Sequence, residues 1–238
     1  MRLQLGVLLA AGVLAGARVE AQVDMHRFTV TPTASFYRPE RATSINSGGA
    51  LGLDALYRLT TFFGVGTTFS YARAQTHGED FLARLTYGQV SAADTAFFYY
   101  VTQPVNAVHG AVNATLTAPA VLSRVLPYAT GGVGAYGIYL DPQANRGLSH
   151  FGALAYNYGA GVNLRFSERG GVRLDVRNVV YTNYRRGRLN PGDGRFVNYQ
   201  FPAEFQTAPA AKSTVNNLML SLGFSYTPGA VTSAEGSK

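Results

Sequence analysis

Apolar and polar residues alternate along this chain with a period of two, and the pattern recurs from one end to the other. In "RFTVTPTASF" (27–36), Phe28, Val30, Ala34 and Phe36 share one face, and Arg27, Thr29, Thr31, Thr33 and Ser35 share the other. "LGLDALYRL" (51–59) sets Leu51, Leu53, Ala55 and Tyr57 against Gly52, Asp54, Leu56 and Arg58. "FGVGTTFSY" (63–71) sets Phe63, Val65, Thr67, Phe69 and Tyr71 against Gly64, Gly66, Thr68 and Ser70. "YNYGAGVNLRF" (156–166), "GVRLDVRNVVY" (171–181) and "NLMLSLGFSY" (217–226) repeat the scheme. Such a period belongs to β-strands with one apolar face, so six strands are predicted here. Two weaker candidates bring the number to about eight. One lies near 103–116, with Val108, Val112, Ala114 and Leu116 in phase. The other is "PYATGGVGAYGIY" (127–139), where small residues on both faces blur the phase. Pro32 is a defect in the first strand, because it brings no N–H to a ladder.

The connections alternate long and short. They run to a few residues between 59 and 63 and between 166 and 171, and to tens of residues between 71 and 103 and between 181 and 217. Because each strand reverses direction, every long connection falls at one end and every short one at the other. A transmembrane antiparallel up-and-down barrel has this arrangement, with short periplasmic turns and long extracellular loops. Aromatic residues gather near the predicted strand ends. Phe63, Tyr128, Phe166 and Tyr226 fall at the short-turn end, and Phe36, Tyr71, Tyr156, Tyr158 and Tyr184 at the other, which predicts two interfacial girdles. Residues 80–100 are a candidate for an extra hairpin beyond the membrane.

The polar face then predicts a lumen. It carries Arg27, Asp54, Arg58, Arg165, Arg173, Asp175 and Arg177 among glycine and serine. About eight strands enclose a space that side chains just fill. Charges in that space are costly unless paired, so Asp54 and Asp175 should each meet at least one of the arginines.

Composition fits this picture. Only 14% of the 238 residues are charged, while there are 27 Gly, 15 Tyr and 14 Phe, a mixture that favours strands over helices. With no Cys there is no disulfide framework and no thiolate metal site. The start, "MRLQLGVLLAAGVLAGARVEAQ", reads as a secretory signal: Arg2 is followed by an apolar run from Leu3 to Ala17 and by small residues. Cleavage is expected after Ala21, with Ala15-Gly16-Ala17 as a competing site. The expected organisation is a signal peptide over 1–21, a barrel domain over 22–226 and a disordered Pro/Gly/Ser/Ala tail over 227–238. The net charge is +7. In an exported chain this points to phosphate-bearing lipid rather than to nucleic acid.

At "LPYATGGVGAY" (126–136), "GAGVNLRF" followed by "GGVRLDVRNVVY", and the terminal "NNLMLSLGFSY", the chain resembles the small eight-stranded outer-membrane barrels of the OmpA and OmpX type. The resemblance implies a bacterial outer-membrane location, lipid and lipopolysaccharide as neighbours, and insertion by the barrel-assembly machinery. It departs from that family at "TPGAVTSAEGSK", which follows the terminal Tyr226 strand and is too short for a peptidoglycan-binding domain.

No strong catalytic motif is present. Lipid A deacylase barrels use a His-x-Ser pair, and His26, His77, His109 and His150 are followed two residues on by Phe28, Glu79, Ala111 and Gly152. "THGED" (76–80) offers His77, Glu79 and Asp80 as an acid/base cluster in a long loop, the best site for a lipid or peptide hydrolase. "YRRGRLNPGDGRF" (184–196) offers Arg185, Arg186, Arg188 and Arg195, whose forked donors suit the phosphates of lipopolysaccharide. The expected function is a non-enzymatic structural or surface-interaction barrel without cofactor or metal. A narrow, porin-like pore and a hydrolase around His77 are the alternatives.

Overall fold

The computed structural model describes residues 28–85, 97–100, 102–119, 124–140, 150–167, 169–189, 196–198 and 208–228. Eleven strands follow one another: β1 (Phe28–Pro39), β2 (Gly48–Arg58), β3 (Phe63–Gln75), β4 (Leu82–Leu85), β5 (Phe97–Tyr100), β6 (Pro104–Thr117), β7 (Val125–Leu140), β8 (His150–Arg165), β9 (Gly170–Tyr181), β10 (Phe196–Asn198) and β11 (Val215–Tyr226). Eight of them close a barrel in the order β1-β11-β9-β8-β7-β6-β3-β2, and every neighbouring pair in it is antiparallel. These are the eight strands read from the alternation; β1, β2, β3, β7, β8 and β11 run further toward the long-connection end than the alternation marked. The hairpin foreseen in 80–100 is β4 paired with β5, outside the barrel, with β10 added as a third strand.

The strands end where local chemistry stops them. Between β2 and β3, the Thr60 hydroxyl accepts from the backbone N–H of Phe62 and Phe63, and the Phe63 carbonyl accepts from Leu59 and Thr60. Between β8 and β9, the Ser167 hydroxyl accepts from the Gly170 N–H at 2.8 Å. These side-chain turns satisfy backbone groups that a tight reversal would otherwise leave unpaired.

One face of each strand looks out and is apolar. Leu174 and Leu222 are 46% and 55% exposed, whereas Asp175 and Arg177, one position away from outward residues, are 5% and 6% exposed. Phe36, Leu51, Phe69, Val112 and Leu154 share the outward face. A belt of this kind would be unstable facing water and is what a hydrocarbon surround selects. Of the predicted girdle residues, Phe63, Phe166 and Tyr226 stand outward at one end, and Phe36, Tyr71, Tyr156 and Tyr158 outward near the other. Tyr128 and Tyr184 do not. Both turn inward: Tyr128 belongs to the same phase as the buried Leu126, Thr130, Tyr136 and Ile138, and Tyr184 lies beyond β9, 5% exposed beneath the loops.

The seam between β1 and β11 closes the barrel, and it carries the consequence of Pro32. The ladder pairs Val30 with Tyr226 and resumes at Thr33 with Gly223, missing the pairs at the proline. Side chains bridge the gap from inside. The Thr29 and Thr227 hydroxyls meet at 3.0 Å, Thr31 and Ser225 at 3.1 Å, and Ser35 donates to Ser221 at 2.7 Å.

Candidate functional site

The interior is built in three storeys. At mid-height, β9 projects Arg173, Asp175 and Arg177 inward, and β2 projects Asp54 from the opposite side. Arg173 reaches Asp54 Oδ2 at 3.1 Å and Asp175 Oδ2 at 2.8 Å. Arg177 reaches Asp54 Oδ1 at 3.4 Å and Asp175 Oδ2 at 3.3 Å. The result is a square of alternating charge in which each guanidinium touches both carboxylates. Such a square offsets desolvation better than an isolated pair, because every charge has two opposite neighbours.

Neutral groups complete the square. The Thr68 hydroxyl donates to Asp54 and accepts from Arg177 Nη1 at 2.8 Å and from Asn113 Nδ2 at 2.7 Å. The Tyr128 hydroxyl donates to Asp175 and accepts from Arg173 Nε at 2.5 Å, while the Arg173 guanidinium lies 4.7 Å from the Tyr128 ring centre. Tyr128 has room to do this because its cross-strand partner is Gly161. A Cβ at residue 161 would run into the Tyr128 hydroxyl and ring and the Leu174 carbonyl.

On the short-turn side, a small cavity meets the square, lined by Thr29, Thr31, Arg58, Thr115, Asn163 and Ser225 among others. Arg58 is buried there, and Arg165 sits half-buried beside it at the mouth. A second, smaller cavity lies on the far side, lined by Ser35, Ser70, His109, Arg177 and Ser221. Arg27 lies outside the described residues.

Beyond that second cavity the interior turns apolar. Tyr37, Ile45, Val105, Ile138, Val179, Tyr181, Val215 and Leu189 are almost fully buried in one cluster with Tyr136, Tyr184 and Phe151. Tyr136 and Tyr181 stack at 4.1 Å with planes 8° apart, and Phe151 meets Tyr184 edge-on at 5.3 Å. Each aromatic pair contributes about 0.5–1.5 kcal/mol beyond the area it buries. Their hydroxyls are used: Tyr37 donates to Asn217, Tyr136 to the Thr182 carbonyl and Tyr184 to the Thr43 carbonyl. The sequence reading missed this storey. The signal was available, since Val179 and Tyr181 continue the phase of Arg173, Asp175 and Arg177.

The long connections lock over it. The His77 N–H donates to the Ser44 carbonyl at 2.8 Å, and the Gln103 side chain donates to the Leu189 carbonyl at 2.7 Å. Arg41 grips Asp80 through both guanidinium nitrogens, and Lys212 and the Asn216 N–H and side chain hold Glu40. Burial alone would raise the Asp80 carboxyl. Its hydrogen bonds from Arg41 and the Arg41 charge outweigh that and hold it below the usual carboxylate range. Burial, then the Arg41 charge, lowers His77, so the imidazole is neutral at pH 7. In the His77, Glu79 and Asp80 cluster, Asp80 is therefore occupied as a structural anchor. No group of three or more His, Asp or Glu among the described residues is arranged to hold a metal.

Arg185 and Arg188 are exposed beyond β9, and Arg186 is half-buried and donates to the Pro209 carbonyl. Arg195 lies outside the described residues, as do residues 1–21, where a signal peptide is expected, and residues 229–238.

Against known proteins, the outer membrane protein beta-barrel domain matches residues 7–227. Among solved structures, Neisserial surface protein A aligns with a TM-score of 0.52 at 14% identity, covering 84% of this chain and 96% of that one. OprG of Pseudomonas aeruginosa aligns at 0.46 and 12% identity, covering 85% and 96%. Ail of Yersinia pestis, the attachment invasion locus protein, solved with the heparin analogue sucrose octasulfate, aligns at 0.45 and 10%, covering 85% and 99%. No curated protein sequence matches. At these identities the likeness shows the fold.

Proposed function

Since the chain belongs to the outer membrane protein beta-barrel domain family, and so to the bacterial outer membrane, we propose that it is a non-enzymatic barrel with a plugged lumen, acting as a rigid platform for surface interactions. The observation that carries this reading is the interior itself. A square of ion pairs and then an apolar tyrosine cluster stand in series along the axis. Either layer opposes ions: the first by fixed charges of both signs held across the lumen, the second by closely packed aromatic and aliphatic side chains. Around the rim, the interlocked connections hold their shape by hydrogen bonds between segments distant in sequence, which suits a surface that recognises something.

In this reading the connection after β9 faces outward and its arginines, Arg185, Arg186, Arg188 and Arg195, meet the phosphates of lipopolysaccharide. Residues 1–21 direct export and are removed, and the barrel-assembly machinery inserts the rest. Planar-bilayer recording tests the plug. The account predicts conductance at background for the wild-type chain, and also after Arg173→Ala, because the tyrosine layer remains. Stable open-channel steps in the wild-type chain would establish the pore instead.

A further inference from the structure

The outward face of the barrel is free of Asp, Glu, Lys and Arg along the described strands except at two positions, Arg38 on β1 and Arg73 on β3. Both lie within two residues of the strand end that leads into a long connection. Both are exposed, and among the described residues neither side chain makes a hydrogen bond or an ion pair. The nearby loop carboxylates are taken: Glu40 by Lys212 and Asn216, Asp80 by Arg41. Two like charges thus stand unneutralised at the edge of an apolar belt, on strands separated only by β2.

What lies between them is a gap. The outward residue of β2 at this level is Gly49, paired with Phe36 on one side and Arg73 on the other. A Cβ at Gly49 would meet nothing within 4 Å. Arg38 is the next outward residue after Phe36, so the bare spot is bordered by Arg38, Arg73 and Phe36. Two strand spacings and the two-residue step from Phe36 to Arg38 set the arginine backbones roughly 12 Å apart, a distance two arginine side chains can close on one tetrahedral anion. Beyond Gly49 the same face continues as Leu51 and Leu53, 67% and 48% exposed.

We propose that Arg38, Arg73 and the gap at Gly49 form a seat on the outer wall for the phosphate of an outer-leaflet lipid, whose acyl chain runs down over Phe36, Leu51 and Leu53. Charge above and grease below match a phosphorylated lipid and no soluble anion. The seat rests on the outward placement of the long connections proposed above, but uses none of the loop arginines.

The test is native mass spectrometry of the full chain refolded in neutral detergent and titrated with bis-phosphorylated lipid A, dephosphorylated lipid A or inorganic phosphate. Each surface arginine is worth about a fivefold change in lipid affinity. Arg38→Gln with Arg73→Gln should therefore weaken lipid A binding about thirtyfold, and dephosphorylated lipid A should bind comparably weakly to the wild-type chain. Gly49→Leu, which keeps both arginines and fills an open position, should weaken it as well. Wild-type affinity in the double variant, equal affinity for dephosphorylated lipid, equal affinity for free phosphate, or a dimer in place of a lipid adduct would each overturn the seat. Arg185→Gln with Arg188→Gln separates the two readings: a loss there alone favours the loop contact and removes the seat, and a loss in the wall variants alone does the reverse.

Discussion

Removing Arg177 should expose how much the charge square contributes. Its guanidinium is 6% exposed and holds Asp54, Asp175 and Thr68. Deleting one partner of a buried ion pair costs about 3–5 kcal/mol, because the other charge is left uncompensated. Here both carboxylates keep Arg173, at 3.1 Å and 2.8 Å, so the lower figure applies, about 3 kcal/mol for Arg177→Ala. With a urea dependence of about 2 kcal/mol per molar, the midpoint should fall by about 1.5 M. The chain has no Trp, so unfolding from lipid vesicles is followed by far-ultraviolet circular dichroism and by the shift of the folded band on unboiled gels. Arg177→Met separates charge from volume. If the loss comes from unbalanced carboxylate charge, Met remains close to Ala; if it comes from an emptied cavity, Met recovers most of it. A stability for Arg177→Ala within about 0.5 kcal/mol of wild type would refute the claim that the square holds the barrel together.

Two further outcomes follow from the same geometry. Gly161→Ala should destabilise by about 1–3 kcal/mol in the same titration, since its methyl group collides with Tyr128 and the Leu174 carbonyl. At the rim, the depressed Asp80 carboxyl contributes stability that is complete above the ordinary carboxylate range and is lost as pH falls through the lowered value. Hydrogen-exchange protection of residues 41–46 and 76–81, taken against the intrinsic rate at each pH, should therefore be high at pH 7 and fall in acid below about pH 4, and Asp80→Asn should show low protection at both. Exchange that ignores both the pH and the substitution would remove the Arg41–Asp80 clamp from the account.

The outward face of this protein was legible in its sequence on every barrel strand but β7, because lipid imposes one requirement on every strand and a period-two pattern records it. The inward face was legible only where it is charged. Arg173, Asp175 and Arg177 stand out against Val172, Leu174 and Val176, but two residues later the contrast vanishes: Val179 and Tyr181 point in, Val180 points out, and all three are apolar. The tyrosine storey was missed for that reason: it continues the phase of the charged residues, but no contrast marks it. Tyr128 was misplaced on the girdle because small residues fill both faces of β7 and conceal its phase, although the glycine opposite it was a clue. The loop interlock, in which Ser44 meets His77 and Thr43 meets Tyr184, joins residues far apart in the chain and leaves no periodic trace.

The orientation of the two faces is the claim on which the plug, the platform and the lipid seat all stand. The chain has no Cys, so single cysteines can be placed at Leu174, Leu220 and Leu222 and, in separate variants, at Thr31, Asn113 and Ser225, each labelled with a bimane fluorophore in vesicles containing brominated acyl chains. The account predicts strong quenching at the three leucine positions and none at the other three. Quenching at Thr31, Asn113 and Ser225 with none at the leucines would contradict it.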